Sequence, residues 1–156
     1  MNSRISGLAS ALGAAGLLPM LGVLYVQAGD FDGGDRHGAV LIGHGYAALI
    51  LSFLGGLWWG LGSAAGARAE GGRVPGWLWV AAVMPSLIAF FPMVGMVLGV
   101  VDVRLALAVT GVALMAALLV DRALVRLGLT PPWWMELRVP LSLGLGGMSL
   151  MVAGLG

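Results

Sequence analysis

Three places in the chain hold side chains that could do chemistry. The first is the glycine-rich stretch Gly29–Gly38, with Asp30, Asp32, Asp35, Arg36 and His37. Three carboxylates and an imidazole are metal-ligand types. The spacing Asp-x-Asp-x-x-Asp, however, lacks the downstream Glu of a calcium loop, so the stretch reads as a solvated acidic loop. The second is His44, which with Tyr46 opens the next apolar run and reads as an interfacial anchor, proton handling being the alternative. The third is Asp121-Arg122, near Arg138 in the same end region as six tryptophans. Candidate ligand contacts there are Trp58, Trp59, Trp77, Asp121, Arg122, Trp133 and Arg138. A nucleophile needs a base within reach. The chain has no Cys, its deep hydroxyls are only Ser52, Ser86 and Thr110, and His44 and Asp121 fall toward opposite faces. No catalytic residue, metal site or cofactor is therefore expected, and an enzyme is the least favoured class.

The elements that carry these residues are membrane spans. Hydrophobic residues make up 60% of the chain and charged ones 10%, against about 25% charged in soluble domains. Five apolar segments stand out, Ile5–Ala28, Ala39–Ser63, Trp77–Gly99, Leu105–Leu127 and Val139–Leu155. Each approaches or exceeds the ~20 residues that cross a ~30 Å hydrocarbon core. The expectation is an all-α integral membrane protein, a bundle of five transmembrane helices forming one membrane domain over 1–156. The first segment has a weak basic start at Arg4 and a small-residue site at Val26-Gln27-Ala28, but its apolar run is longer than a signal core of about 7–15 residues, so it reads as a retained helix.

Packing signals follow the small residues. Ala48, Ser52, Gly56 and Gly60 recur every four residues and suggest close backbone approach on one face, which is how helices associate in lipid. Gly7, Ala11 and Ala15 repeat that spacing in the first helix. Pro85 and Pro92 are expected to kink the third helix, with Gly95 and Gly99 forming another contact patch beyond them. Gly128, with Pro131 behind it, marks the stop of the fourth helix, and Pro140 is placed in the first turn of the fifth. An acid inside a membrane helix needs a cationic partner. Arg122 points about 100° away from Asp121 around the helix, and Arg126 misses the three- or four-residue spacing. Arg138 opens the next helix at the same end, so an Asp121–Arg138 pair with a bidentate fork is predicted.

Arg residues set the orientation. Arg4, Arg68, Arg73, Arg122, Arg126 and Arg138 fall on one side, Arg36 and Arg104 on the other. This split places the N-terminus in the cytoplasm and the C-terminus outside. All six Trp then lie toward the cytoplasmic face. Arg without any Lys, with 27 Gly, is the composition of a GC-rich bacterial gene and suggests a bacterial inner (cytoplasmic) membrane. The net charge of +1 gives no reason to invoke nucleic acid.

The run Leu51-Ser52-Phe53-Leu54-Gly55-Gly56-Leu57-Trp58-Trp59-Gly60, then Met84-Pro85-Ser86-Leu87 and Leu137-Arg138-Val139-Pro140-Leu141-Ser142, resembles segments of the membrane family known as domain of unknown function 3429, which includes the eukaryotic transmembrane protein 69. Asp121-Arg122, Gly128-Leu129 and Pro132-Trp133 are similar too. The resemblance runs from about Gly16 to the end. It implies a small multi-pass membrane protein and carries no activity or site residue. Five spans and many Trp also describe tryptophan-rich sensory proteins, but their Trp-x-Pro-x-x-Phe signature is missing. The leading reading is an interaction or assembly protein whose partners are the lipid bilayer and a membrane protein or a second copy. The alternative is a binder or transporter of a small hydrophobic or amphipathic ligand or lipid, using the Trp/Arg cluster.

Overall fold

The computed structural model describes residues 7–68 and 74–155, the side chain of Arg68 excepted. Arg4, Glu70 and Arg73 lie outside them. Six helices follow in order, α1 (Gly7–Ala15), α2 (Leu18–Ala28), α3 (Gly33–Arg68), α4 (Gly76–Val97), α5 (Val103–Arg126) and α6 (Trp134–Gly154), and there is no strand among the described residues. Taken together, α1 and α2 form one apolar stretch, and with α3 to α6 they give five helical segments long and apolar enough to cross a membrane. The chain is therefore an all-α protein of multi-pass membrane type, suited to a lipid bilayer.

The first span breaks where Pro19, at the start of α2, has no N–H to continue the ladder. Gly16 and Leu17 form the turn, and the carbonyl of Gly16 accepts a hydrogen bond from the Tyr46 hydroxyl. That bond satisfies a backbone group that lipid could not. Tyr46 is thus tied across to the N-terminal span rather than anchored at an interface. In α1 the repeat Gly7, Ala11 and Ala15 is exposed, whereas Gly13 and Gly16 turn toward neighbours.

Helix α3 runs for 36 residues, beginning at Gly33 rather than Ala39 and ending at Arg68 rather than Ser63. At 1.5 Å per residue that is about 54 Å, well beyond the hydrocarbon core. The acidic residues mark its start. Asp32 Oδ1 accepts from the backbone N–H of Asp35 at 2.9 Å, satisfying an orphan donor of the first turn. Arg36 folds back, its Nη2 donating to the carbonyls of Gln27 (2.6 Å) and Gly29 (3.3 Å), while Gln27 Nε2 donates to the Arg36 carbonyl at 2.6 Å. What hydropathy marks as an acidic loop is mostly a helix start.

The α3–α4 contact does not follow the four-residue stripe. Ser52 meets Ser86 of α4, the two hydroxyls 2.8 Å apart, and Ala48 is half-buried. Gly56 and Gly60 are exposed, and a Cβ on either would meet nothing within 4 Å. A strict repeat of four drifts about 40° around the helix at each step, or about 120° by Gly60, and so leaves the contact. The close approach falls instead at Gly55, where a Cβ would stand 2.3 Å from the Ala82 carbonyl oxygen and 3.4 Å from the Pro85 ring. Gly62 continues it against Leu78. Substituting Gly56 by Leu is accordingly expected to change thermal stability in detergent by no more than about 0.5 kcal/mol, the surface norm. A loss several times larger would show that this face is packed.

Pro85 and Pro92 both lie inside α4, Pro85 buried against α3. Gly95 and Gly99 serve the end of α4 rather than a contact with another helix. Gly99 has φ +70°, and Val100 N–H returns to the Gly95 carbonyl at 2.9 Å, closing a left-handed helix stop. Gly128 ends α5 the same way, with φ +68° and Leu129 N–H bonded to the Leu124 carbonyl. The α5–α6 crossing is built on Gly111 and Gly146. A Cβ on Gly146 would lie 2.8 Å from the Gly111 oxygen, and one on Gly111 would lie 3.0 Å from the Gly146 oxygen. Helix α6 starts at Trp134 rather than Val139, which places Arg138 in its second turn and Pro140 inside the helix rather than in its first turn. Glu136 and Arg138 mark a linker by charge alone; buried against α5, Arg138 instead belongs to the helix.

Candidate functional site

Helix α5 carries a buried stripe at Val103, Leu107, Thr110, Leu114, Ala117, Asp121 and Leu124. The steps alternate four and three, the seam that keeps one face turned toward its neighbours. Asp121 occupies a position on that seam, so it enters the bundle rather than sitting at its rim, and it is 0% exposed. The buried face of α6 includes Trp134, Arg138, Ser142, Leu145 and Ser149, again one turn apart. Where the two faces meet, α3 contributes Trp58, 2% exposed.

These residues form one polar cluster. Arg138 Nε donates to Asp121 Oδ2 at 2.8 Å. Trp58 Nε1 and Trp134 Nε1 both donate to Asp121 Oδ1, at 3.0 and 3.1 Å. The predicted Asp121–Arg138 pair therefore forms, tying α5 to α6, and an indole from α3 joins it. The contact runs through Nε alone and not through a bidentate fork. Charge-assisted bonds are the strong ones, and three of them converge on a carboxylate removed from water. That arrangement is what lets a buried carboxylate persist, since its desolvation would otherwise exceed the attraction of one counter-ion.

Two donors at the cluster remain unmatched. Arg138 Nη2 and Ser142 Oγ are buried and have no hydrogen-bond partner among the described residues. Two other buried hydroxyls behave differently. Thr110 and Ser149 each bond the carbonyl four residues back, of Ala106 at 2.9 Å and Leu145 at 2.8 Å. Arg138 and Ser142 both line a crevice of about 450 Å³ between the N-terminal span, α3 and α6, with Leu114 of α5 also in its wall. Its walls are otherwise mainly aliphatic and aromatic, with Leu12, Leu17, Ile50, Phe53, Leu57 and Leu141 among them. Small-molecule sites typically measure about 300–1,000 Å³, mostly apolar with few polar groups, and the crevice falls in that class.

Of the residues singled out by type and spacing, Trp58, Asp121 and Arg138 come together, and Trp133 lines the crevice beside Trp134. Arg122 is exposed, turned about 100° around α5 from Asp121. Trp59 packs edge-on against Trp79, with ring centroids 4.9 Å apart, and both Trp59 and Trp77 are exposed away from the cluster. Trp134 and Ser142 are the members that type and spacing missed. Their signal is the four-residue step 134–138–142, which is invisible while Trp134 is assigned to a linker. His44 is buried on α3, and both ring nitrogens lack a partner among the described residues, so it is not the water-exposed interfacial anchor expected. Fourteen residues, or about 21 Å of helix, separate it from Trp58 and hence from the Asp121 cluster.

The sequence model of a family described as a protein of unknown function, DUF3429, matches residues 5–154. Neither a search of curated proteins nor a search of solved structures finds a match.

Proposed function

Because the chain belongs to the DUF3429 family, for which no function is known, its role has to be argued from the site, and we propose that it binds a small amphipathic molecule or lipid in the crevice beside Asp121 and Arg138. One observation carries this reading. An apolar crevice of ligand size is lined by Arg138 and Ser142, whose buried Nη2 and Oγ nothing in the described protein satisfies. An unmet buried donor costs about 1–3 kcal/mol, and it is tolerated where a ligand supplies the acceptor. The apolar walls would take the ligand's body and the α6 face its head. This favours the binder over an interaction or assembly protein, which would need no such donors.

The Arg distribution supports a cytoplasmic N-terminus in a bacterial inner membrane, with the crevice toward the cytoplasmic half. Arg138 leaves that tally because it is paired within the bundle, and the remaining five Arg on its side still outnumber two.

Native mass spectrometry of protein released from nonionic micelles tests the proposal. The wild type is expected to retain a bound amphiphile. Leu57→Trp, which extends an indole into the crevice, should lose most of it while keeping the fold. Equal retention by both, or none by the wild type after incubation with total membrane lipid, would reject the crevice as a binding site.

A further inference from the structure

The charge balance of the cluster narrows the class of ligand. Arg138 brings one positive charge to the crevice wall, and Asp121 already neutralises it through the 2.8 Å contact. The remaining charged groups nearby in sequence, Arg122, Arg126 and Glu136, are exposed rather than turned into the cluster. An anionic head on Arg138 Nη2 would therefore place a second negative charge next to Asp121 with no second cation buried beside it. In a low-dielectric interior that repulsion is far larger than in water. A cationic head would sit beside the Arg138 guanidinium, a like charge, with the Ser142 hydroxyl oxygen as its one acceptor there. An uncharged acceptor meets neither obstacle.

We infer that the ligand presents an uncharged carbonyl to Arg138 Nη2 and Ser142 Oγ, an inference that rests on the crevice being the binding site. Residues 138 and 142 lie one turn apart on one face of α6, a spacing that puts Cβ atoms about 5–6 Å apart. A carbonyl oxygen has two lone pairs and can accept one bond from each donor. Its apolar body then lies against Leu17, Ile50 and Leu141. Ester lipids and alkyl quinones both carry this chemistry.

The test titrates the purified full-length protein in nonionic micelles with four probes, read by native mass spectrometry. These are methyl palmitate, a decyl-substituted benzoquinone, palmitate at pH 9, where the acid is ionised, and hexadecane, which has no head. The expected result is that at least one carbonyl probe binds about tenfold or more tighter than palmitate, a difference of about 1.4 kcal/mol. Whichever of the ester and quinone binds more tightly identifies the source. Ser142→Ala is expected to weaken that probe about fivefold and to leave hexadecane unchanged, since one hydrogen bond is lost and no apolar wall. The variant should fold, because the hydroxyl it removes has no partner within the described protein. Palmitate binding as tightly as the carbonyl probes would overturn the uncharged head. Hexadecane equalling the carbonyl probes, or Ser142→Ala leaving their affinity unchanged, would overturn the assigned contacts. In both cases the crevice itself would stand. If no probe binds, hexadecane included, the crevice falls as a site and the inference with it.

Discussion

Arg138→Leu is expected to destabilise the bundle by about 3–5 kcal/mol, the range for removing one partner of a buried ion pair. Asp121 would remain fully buried with only the indoles of Trp58 and Trp134 to hold its charge. The loss should appear as a lower unfolding midpoint in detergent, with α5 and α6 separating first, because the pair joins them. Asp121→Asn with Arg138→Gln in the same chain is the informative companion. The amide oxygen of Asn can still accept from both indoles, and no charge is left unpaired. The double variant should be no worse than the worse of its two single variants, giving a coupling of about 0.5–3 kcal/mol in the cycle. Strictly additive losses would mean that the two residues do not act as a pair.

The second large effect sits one helix face away. Gly55→Leu should cost about 1–3 kcal/mol or more, at the upper end of overpacking, because the new Cβ would start 2.3 Å from the backbone oxygen of Ala82. A carbonyl in a helix cannot swing aside as a side-chain tip can. The α3 and α4 backbones must therefore part, and the 2.8 Å Ser52–Ser86 contact parts with them. Insertion into the membrane should be unaffected, since leucine is favoured there. Comparing Gly55→Leu with Gly56→Leu isolates the geometry, because the two variants are identical in composition and hydropathy. Equal melting temperatures for the two would show that Gly55 does not stand at a close α3–α4 approach.

These two sites show where sequence suffices and where it fails. Long apolar runs in a chain with 10% charge determine helices that span lipid, since no other backbone arrangement of that length satisfies its hydrogen bonds there. The same logic demands a cation for Asp121, and only Arg138 stands at the right end and on the next helix. Gly128 likewise signals a helix stop that its φ of +68° fulfils.

Tertiary structure decided the rest. Whether a small residue lies at a contact depends on the azimuth of the neighbouring helix, so Gly55 and Gly146 are packed while Gly56 and Gly60 are open, though composition treats them alike. Whether a charged stretch is linker or helix depends on what pairs its charge, so α6 begins at Trp134 and brings a second indole to Asp121. The crevice arises from four segments far apart in sequence. Its two unmatched donors become recognisable only once Asp121 is paired with Arg138, Trp58 and Trp134, and that pairing is a property of the folded bundle.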